Sequence, residues 1–219
     1  MTDRRKVSNP LGLAILSLLK EAPMHPYQMA ATLRQRSKEE SIRLNYGALY
    51  AVIAALEREG FIVPRETVRA GARPERTIYT LTSRGELELH DWMTELLSIP
   101  AKEYPQFEAA LSLMPVLPPG EVEALLRGRA IRLEAEVAKR RAVIEVSGRS
   151  GVERVFMIET EYEVAMCEAE LAFVQKLVEL IHSAPAFTRN WRAFHAQSTR
   201  KHPGAQKRPA TARPKKESK

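Results

Sequence analysis

Residues 45–63 read NYGALYAVIAALEREGFIV. Leu49, Val52, Ile53 and Leu56 stand at i, i+3, i+4 and i+7, the spacing that gathers four apolar side chains on one face of a helix. Asn45 is of a helix-capping type, and Gly60 supplies the left-handed residue that commonly ends a helix. At about 100° per residue the opposite face holds Gly47, Ala51, Ala54 and Arg58, flanked by Tyr46 and Tyr50. That face is poor in the bulky charged side chains of a solvated helix. It suits a helix whose backbone must come close to another surface.

Outward from this helix the period changes. FIVPRETVRA and ERTIYTLT, after Gly60, are rich in β-branched and aromatic residues, and AGARP between them holds the Gly and Pro of a turn, so a two-stranded hairpin is predicted. Its loop and flanks carry Arg65, Arg69, Arg73 and Arg76, only partly offset by Glu66 and Glu75. Thr82, Ser83 and Gly85 open a fourth helix through Leu87, Leu89, Trp92, Met93, Leu96 and Leu97, ended by Pro100. Upstream, Asn9 and Pro10 start a helix bearing Leu11, Ile15, Leu18 and Leu19, and Pro26 starts another bearing Tyr27, Met29, Ala30 and Leu33. Three helices followed by a basic hairpin are the order of a winged helix-turn-helix. There the third helix can enter a DNA major groove while the hairpin wing lies along the backbone or minor groove.

The region beyond Pro100 reads as all helical. FEAALSLMPVL forms a short segment, after which Gly120 and Glu121 open a long helix through Val122, Leu125, Leu126, Ile131, Leu133, Val137 and Val143 or Ile144. SGRSG at 147–151 breaks it. A second long helix carries Val155, Ile158, Tyr162, Ala165, Ala169, Ala172, Leu177 and Leu180 close to an a/d repeat. Two such helices with narrow apolar seams do not bury themselves as an isolated hairpin, and a symmetric homodimer is expected, with Val155, Ile158, Tyr162, Ala165, Ala169, Leu177 and Leu180 as the seam. The fold class is therefore mainly α with a small β-hairpin. The divisions are a winged helix-turn-helix domain at 1–99, a helical dimerisation domain at 100–187, and a basic tail at 188–219. In that tail only FTRNWRAFH could form an amphipathic turn or two, and disorder is expected from about residue 198.

Composition narrows the class of function. The 219 residues carry a formal charge of +7, distributed unevenly. Residues 1–90 hold 14 basic and 10 acidic side chains, 91–187 hold 10 and 16, and 188–219 hold 10 and 1. The basic excess thus lies at the two ends of an acidic middle, which directs attention to a polyanionic partner. The single cysteine, Cys167, closes no intramolecular disulfide, and the five scattered histidines make no zinc-site spacing. Arg4, Arg5 and Lys6 before LGLAILSLL imitate a signal peptide, but Lys20 and Glu21 end the run without a small-x-small cleavage site, and no apolar run is long enough for a membrane span. A cytoplasmic protein without cofactor or membrane partner is expected. No phosphate loop, nucleophile elbow or metal motif speaks for an enzyme.

Three blocks resemble the PadR family of bacterial transcriptional regulators: LGLAILSLLKEAPMHPYQMAATL at 11–33, NYGALYAVIAALEREGFIV at 45–63 and RPERTIYTLTSRGELEL at 73–89. The family's third-helix pattern is matched by Leu49, Tyr50, Leu56, Glu57, Glu59 and Gly60, and its wing-to-helix junction by Tyr79, Leu81, Thr82 and Gly85. The middle region resembles the longer members, so the likeness spans roughly 9–183; Pro26 stands where many members have Gly, and the tail after 187 lies outside the family pattern. The resemblance implies a dimeric DNA-binding regulator, usually a repressor, that releases a palindromic operator in response to a small-molecule effector or another signal.

On that reading Arg69, Arg73 and Arg76 neutralise phosphates, Asn45, Tyr46 and Tyr50 make contacts near the start of the recognition helix, and Tyr27 and Gln28 touch the backbone. The bland reading of each remains open here: Tyr50 as packing at the helix–wing junction, Tyr46 as a flank of the core, the wing arginines as a solvated face. Trp92 is a candidate for lining a ligand cleft or for ordinary core. The tail reads as a non-specific DNA arm, an interaction segment or a solubilising extension. The competing function is a winged-helix protein-interaction module whose tail alone binds nucleic acid.

Overall fold

The computed structural model describes residues 7–68 and 76–201. The chain divides into two compact units, Met1–Glu103 and Tyr104–Lys219.

The first unit runs α1 (Pro10–Glu21), α2 (Pro26–Gln35), α3 (Tyr46–Arg58), β1 (Ile62–Val68), β2 (Arg76–Leu81) and α4 (Ser83–Ser98). Local chemistry sets each start. Asn9 Oδ1 accepts the Leu11 N–H at 3.0 Å with Pro10 behind it, His25 Nδ1 accepts the Gln28 N–H at 3.0 Å ahead of Pro26, and Asn45 Oδ1 accepts the Ala48 N–H at 2.7 Å. Leu11, Ile15 and Leu16 of α1, Met29 of α2, Leu49 and Leu56 of α3 and Ile62 of β1 are fully buried in one cluster. Each contributes about 1.5–3 kcal/mol relative to leaving it exposed.

Gly60 sits at φ +70°, letting the chain leave α3 and enter β1. The strands pair antiparallel from Ile62 opposite Leu81 to Val68 opposite Arg76, with an irregularity between Pro64 and Glu66 that leaves Arg65 as an extra exposed residue. Tyr79 also exchanges backbone hydrogen bonds with Met24, at 3.1 and 3.0 Å, which ties the wing to the turn between α1 and α2. Thr82 then fastens the wing to α4. Its Oγ1 accepts the Gly85 N–H at 3.0 Å and donates to the carbonyls of Gly60 and Phe61. Gly85 is packed so tightly that a Cβ would overlap the Phe61 carbonyl.

The second unit runs α5 (Gln106–Ser112), a 3-10 turn at Met114–Val116, α6 (Pro119–Arg149), a 3-10 turn at Arg154–Met157, α7 (Ile158–Ser183) and α8 (Pro185–Lys201). Gly151, at φ +81°, reverses the chain after α6. α6 and α7 lie antiparallel, joined by Arg140 to Glu163 at 3.0 Å, Gln175 to Glu134 at 3.2 Å and His182 to Glu123 at 3.1 Å, and by Arg129 to Glu170. Their shared core is confined to one end, where Val122 and Leu126 meet Val174, Val178, Ile181 and Trp191. Toward the other end Val143, Val146, Phe156, Ile158, Tyr162 and Met166 are exposed.

Three expectations require correction. The tail expected from residue 188 is helical as far as Lys201, because Thr188 and Trp191, three residues apart, bury into the second unit and the Trp191 indole N–H donates to the Leu117 carbonyl at 2.8 Å. Val155 precedes α7 within the 3-10 turn, since the reversal at Gly151 delays the helix to Ile158. Leu177 packs partly buried against the intrachain cluster, so it belongs to the α6-facing side rather than an outer seam. The expectation of disorder from residue 198 lies outside the described residues beyond Lys201.

Candidate nucleic-acid interface

α3 presents two contrasting faces. Leu49, Val52, Ile53 and Leu56 are buried, while Gly47, Ala51, Ala54 and Arg58 are exposed. A Cβ added at Gly47 would meet only Asn45 Oδ1, at 3.6 Å, an ordinary contact. Nothing in the described interior therefore demands glycine there, in contrast to Gly85. The small residues along this face keep the α3 backbone accessible to an incoming surface.

Aromatic side chains border that face. Tyr27 is 59% exposed, Tyr46 45% and Tyr50 56%, high values for large amphipathic residues with a hydroxyl to offer. Gln28 is exposed beside Tyr27, its backbone N–H committed to the His25 cap. Asn45 is exposed too, but its Oδ1 is engaged in capping α3, so its first role is to fix the start of the helix.

Arg34, at the last turn of α2, was not among the residues singled out from sequence. Its guanidinium donates to Tyr46 Oη at 3.0 Å and stands 4.9 Å from the Tyr46 ring centroid. The hydrogen bond to Tyr46, with smaller contributions from Glu39 and Tyr27, holds the guanidinium still more firmly protonated than usual. Arg34 thus joins α2 to the first residue of α3 and sets a fixed positive charge between Tyr27 and Tyr46. The twelve-residue separation from Tyr46 hid this contact from any periodicity.

At the other end of α3, burial raises the Tyr79 phenol above its usual range, reinforced by the Glu57 carboxylate and then by Tyr50. Glu57, the first of the two acidic residues in the Leu49-to-Gly60 pattern, accordingly faces the wing. Tyr50 lies near this junction while keeping most of its surface open. On the wing, Arg65 is exposed at the irregularity, and Arg43 and Arg58 are exposed on the flanks of α3. Arg69 and Arg73 lie outside the described residues, as does the side chain of Arg76, whose backbone opens β2.

Trp92 is buried in the first unit, where its ring would lie 3.5 Å from a Cβ at Gly12. It packs α4 on α1. On α7, Ile158, Tyr162, Ala165, Ala169 and Leu180 are exposed. Cys167, half-buried on the same helix, lies within electrostatic reach of Arg140 of α6, a neighbour that chain position does not reveal. Among the described residues no group of His, Cys, Asp and Glu is arranged to hold a metal ion, and no helix is long and apolar enough to cross a membrane.

Three helices, a paired wing tied back to the end of α3 and to the turn between α1 and α2, and an open, small-residue recognition face define a winged helix-turn-helix protein. Residues 15–91 match the model of the transcriptional regulator PadR-like family, and the first unit is a PadR-like domain. The negative transcriptional regulator PadR of Bacillus subtilis (strain 168) is 27% identical over 128 residues, which are 58% of this chain and 69% of that protein. Among solved structures, Bacillus subtilis PadR in complex with operator DNA aligns with a TM-score of 0.54 at 24% identity, covering 76% of this chain and 99% of that one. The same regulator in complex with p-coumaric acid aligns at 0.61 and 19% identity, covering 84% and 99%. At these identities the structural likeness establishes the fold, which continues through the helical second unit.

Proposed function

We propose that this protein is a sequence-specific DNA-binding transcriptional repressor that acts as a homodimer on a palindromic operator and releases it in response to a small-molecule effector. The observation that carries the reading is α3 itself: a buried Leu49–Leu56 face opposite an open Gly47–Ala51–Ala54 face, bordered by Tyr46 and Tyr50. A helix so built can approach base edges closely, with the aromatic hydroxyls and Arg34 at its rim to meet phosphate. Tyr27, Gln28 and Asn45 serve as backbone contacts and helix positioning, and Arg69, Arg73 and Arg76 as wing cations on the phosphates.

The homodimer rests on the exposed stripe of Ile158, Tyr162, Ala165, Ala169 and Leu180 along α7. An apolar face of that kind is expected at an interface between copies. The effector rests on the relative solved with p-coumaric acid. Regulation rather than catalysis is the role, and the cytoplasm its place.

The test is binding to a duplex carrying the promoter upstream of the protein's own coding sequence. Tyr50→Ala and Arg34→Gln should each weaken specific binding by about tenfold or more, in line with ~1–3 kcal/mol for a contact of this kind. Footprint boundaries should persist as salt rises. Unchanged affinity in both variants overturns the interface, and binding that vanishes without sequence preference favours the protein-interaction module instead.

A further inference from the structure

Arg34 has two neighbours of different chemistry. Its Nη1 donates to Tyr46 Oη at 3.0 Å, while its Nε stands 3.7 Å from Glu39 Oε2, in the loop between α2 and α3. The first is a well-formed hydrogen bond; the second is too long for one and leaves only the attraction between two solvated charges. A guanidinium carries five N–H donors and no acceptor, so its bond to Tyr46 has a single polarity, with the phenol oxygen accepting. The Tyr46 O–H is left to donate elsewhere, and among the described residues none accepts it. Tyr46 is exposed at the first position of α3, where that proton is open to an incoming acceptor. The guanidinium also stands 4.9 Å from the Tyr46 ring centroid, which fixes the two groups relative to each other before any partner arrives.

We propose that Arg34 and Tyr46 form one preset clamp for a single DNA phosphate, and that the Glu39 carboxylate competes with that phosphate for Arg34 until DNA displaces it. The proposal rests on the operator-binding reading above and specifies which group of the duplex this rim takes and what opposes it. An oxyanion set between the two side chains accepts from a guanidinium N–H and from the Tyr46 O–H together, donors that suit the several acceptor oxygens of a phosphate. α2 is the first helix of the helix-turn-helix, the one that crosses the DNA backbone in that design, so a cation in its last turn meets phosphate rather than a base edge. Glu39 offers Arg34 the same kind of partner, a charged oxygen, on the Nε side. Its contact is loose and half solvated, so displacement costs little, but its negative charge stays beside the incoming phosphate and lowers affinity. Phosphate contacts carry no sequence information, so the clamp and Glu39 act alike on any duplex.

The experiment titrates the full-length chain and its Glu39→Gln, Tyr46→Phe and Arg34→Gln variants against a duplex carrying its own promoter and a random-sequence duplex of equal length, over a range of salt. Glu39→Gln should tighten binding to both duplexes by about three- to tenfold at low salt, a gain that misfolding does not produce. Tyr46→Phe keeps the ring beside the guanidinium and removes only the hydroxyl. It should weaken both by about three- to tenfold with an unchanged salt slope, since a neutral donor releases no counterion. Arg34→Gln should weaken both and make the slope of log affinity against log salt shallower by about 1. Combined, the last two should lose less than the product of their separate losses, as befits two donors on one ligand. Unchanged or weaker binding by Glu39→Gln overturns the proposal, as does a Tyr46→Phe loss confined to the promoter duplex, which makes Tyr46 a reader of a base. If the unmodified chain leaves no promoter footprint while both duplexes respond to the substitutions as stated, the operator reading fails and the clamp stands. A preserved footprint with silent substitutions fails the clamp alone.

Discussion

The two units bury their apolar residues differently. In the first, every helix and the first strand contribute to one continuous cluster, and the large residues left outside it in α2 and α3 are tyrosines. In the second, the buried cluster occupies one end of the α6–α7 pair, and aliphatic and aromatic side chains line the remainder in the open. A monomeric soluble protein rarely keeps a long apolar stripe exposed. The α1–α3 part of the first unit is thus closed within the chain and offers a polar, aromatic surface to another molecule, whereas α4 keeps Leu87, Leu96 and Leu97 in the open. The second keeps an apolar surface open along α7, the surface that the proposed homodimer would cover.

Substitutions within each unit separate these two conditions. The largest effect should come from Gly85→Ala, because the added methyl has no room beside the Phe61 carbonyl at the junction of wing and α4. Thermal or chemical unfolding should report a loss above about 3 kcal/mol in the first unit. Next come Leu56→Ala in the first unit and Trp191→Ala in the second. Both delete buried side chains and should cost about 2–5 kcal/mol. Trp191→Ala also strips the indole donor from the Leu117 carbonyl, and helical circular dichroism should fall as α8 loosens.

The seam behaves by a different rule. Ile158 is 51% and Tyr162 65% exposed, so replacing both by Asp should leave the folding of a lone chain nearly intact. Sedimentation should nevertheless show dissociation to monomer, and the concentration dependence of unfolding should disappear with it. A pair that unfolds the chain at every concentration would instead place these side chains in a fold-internal role.

The smallest expected effect concerns Glu21. Arg36 donates to both its carboxylate oxygens, at 2.5 and 2.7 Å, and chiefly through those bonds holds the carboxyl below its usual range. A depressed folded value means stability that is fully present above the unfolded pKa of about 4.5 and is lost as pH falls below it. Both partners are largely solvated, so Glu21→Gln should cost less than about 1 kcal/mol at neutral pH and remove only a small part of the acid sensitivity.

Much of the first unit was legible in its sequence because the determinants are local. Asn9 with Pro10, Asn45, Gly60 and Thr82 act within a turn of themselves, and the Leu49–Leu56 spacing states which face is buried. Contacts between distant segments were not legible. Arg34 reaches Tyr46 across a loop, Met24 pairs with Tyr79 across most of the unit, and Arg65 is set apart by an irregularity that alternation does not foretell. In the second unit the a/d pattern found the helices but not their register. Leu177 turned inward and Val155 fell into a turn, since a narrow apolar seam is equally suited to an intrachain and an interchain neighbour. The low apolar content of α8 reads as a tail, whereas Thr188 and Trp191 anchor it as a helix.

The central claim is that two copies of this chain, joined through the second unit, place two α3 faces on one duplex. Hydroxyl-radical footprinting of the protein's own promoter, combined with the mass of the complex in solution, tests it most directly. The account predicts two protomers per duplex and two protected half-sites about one helical turn apart, roughly 34–36 Å between centres. One protomer on a single half-site, or a bound complex with no protected boundaries, would contradict it.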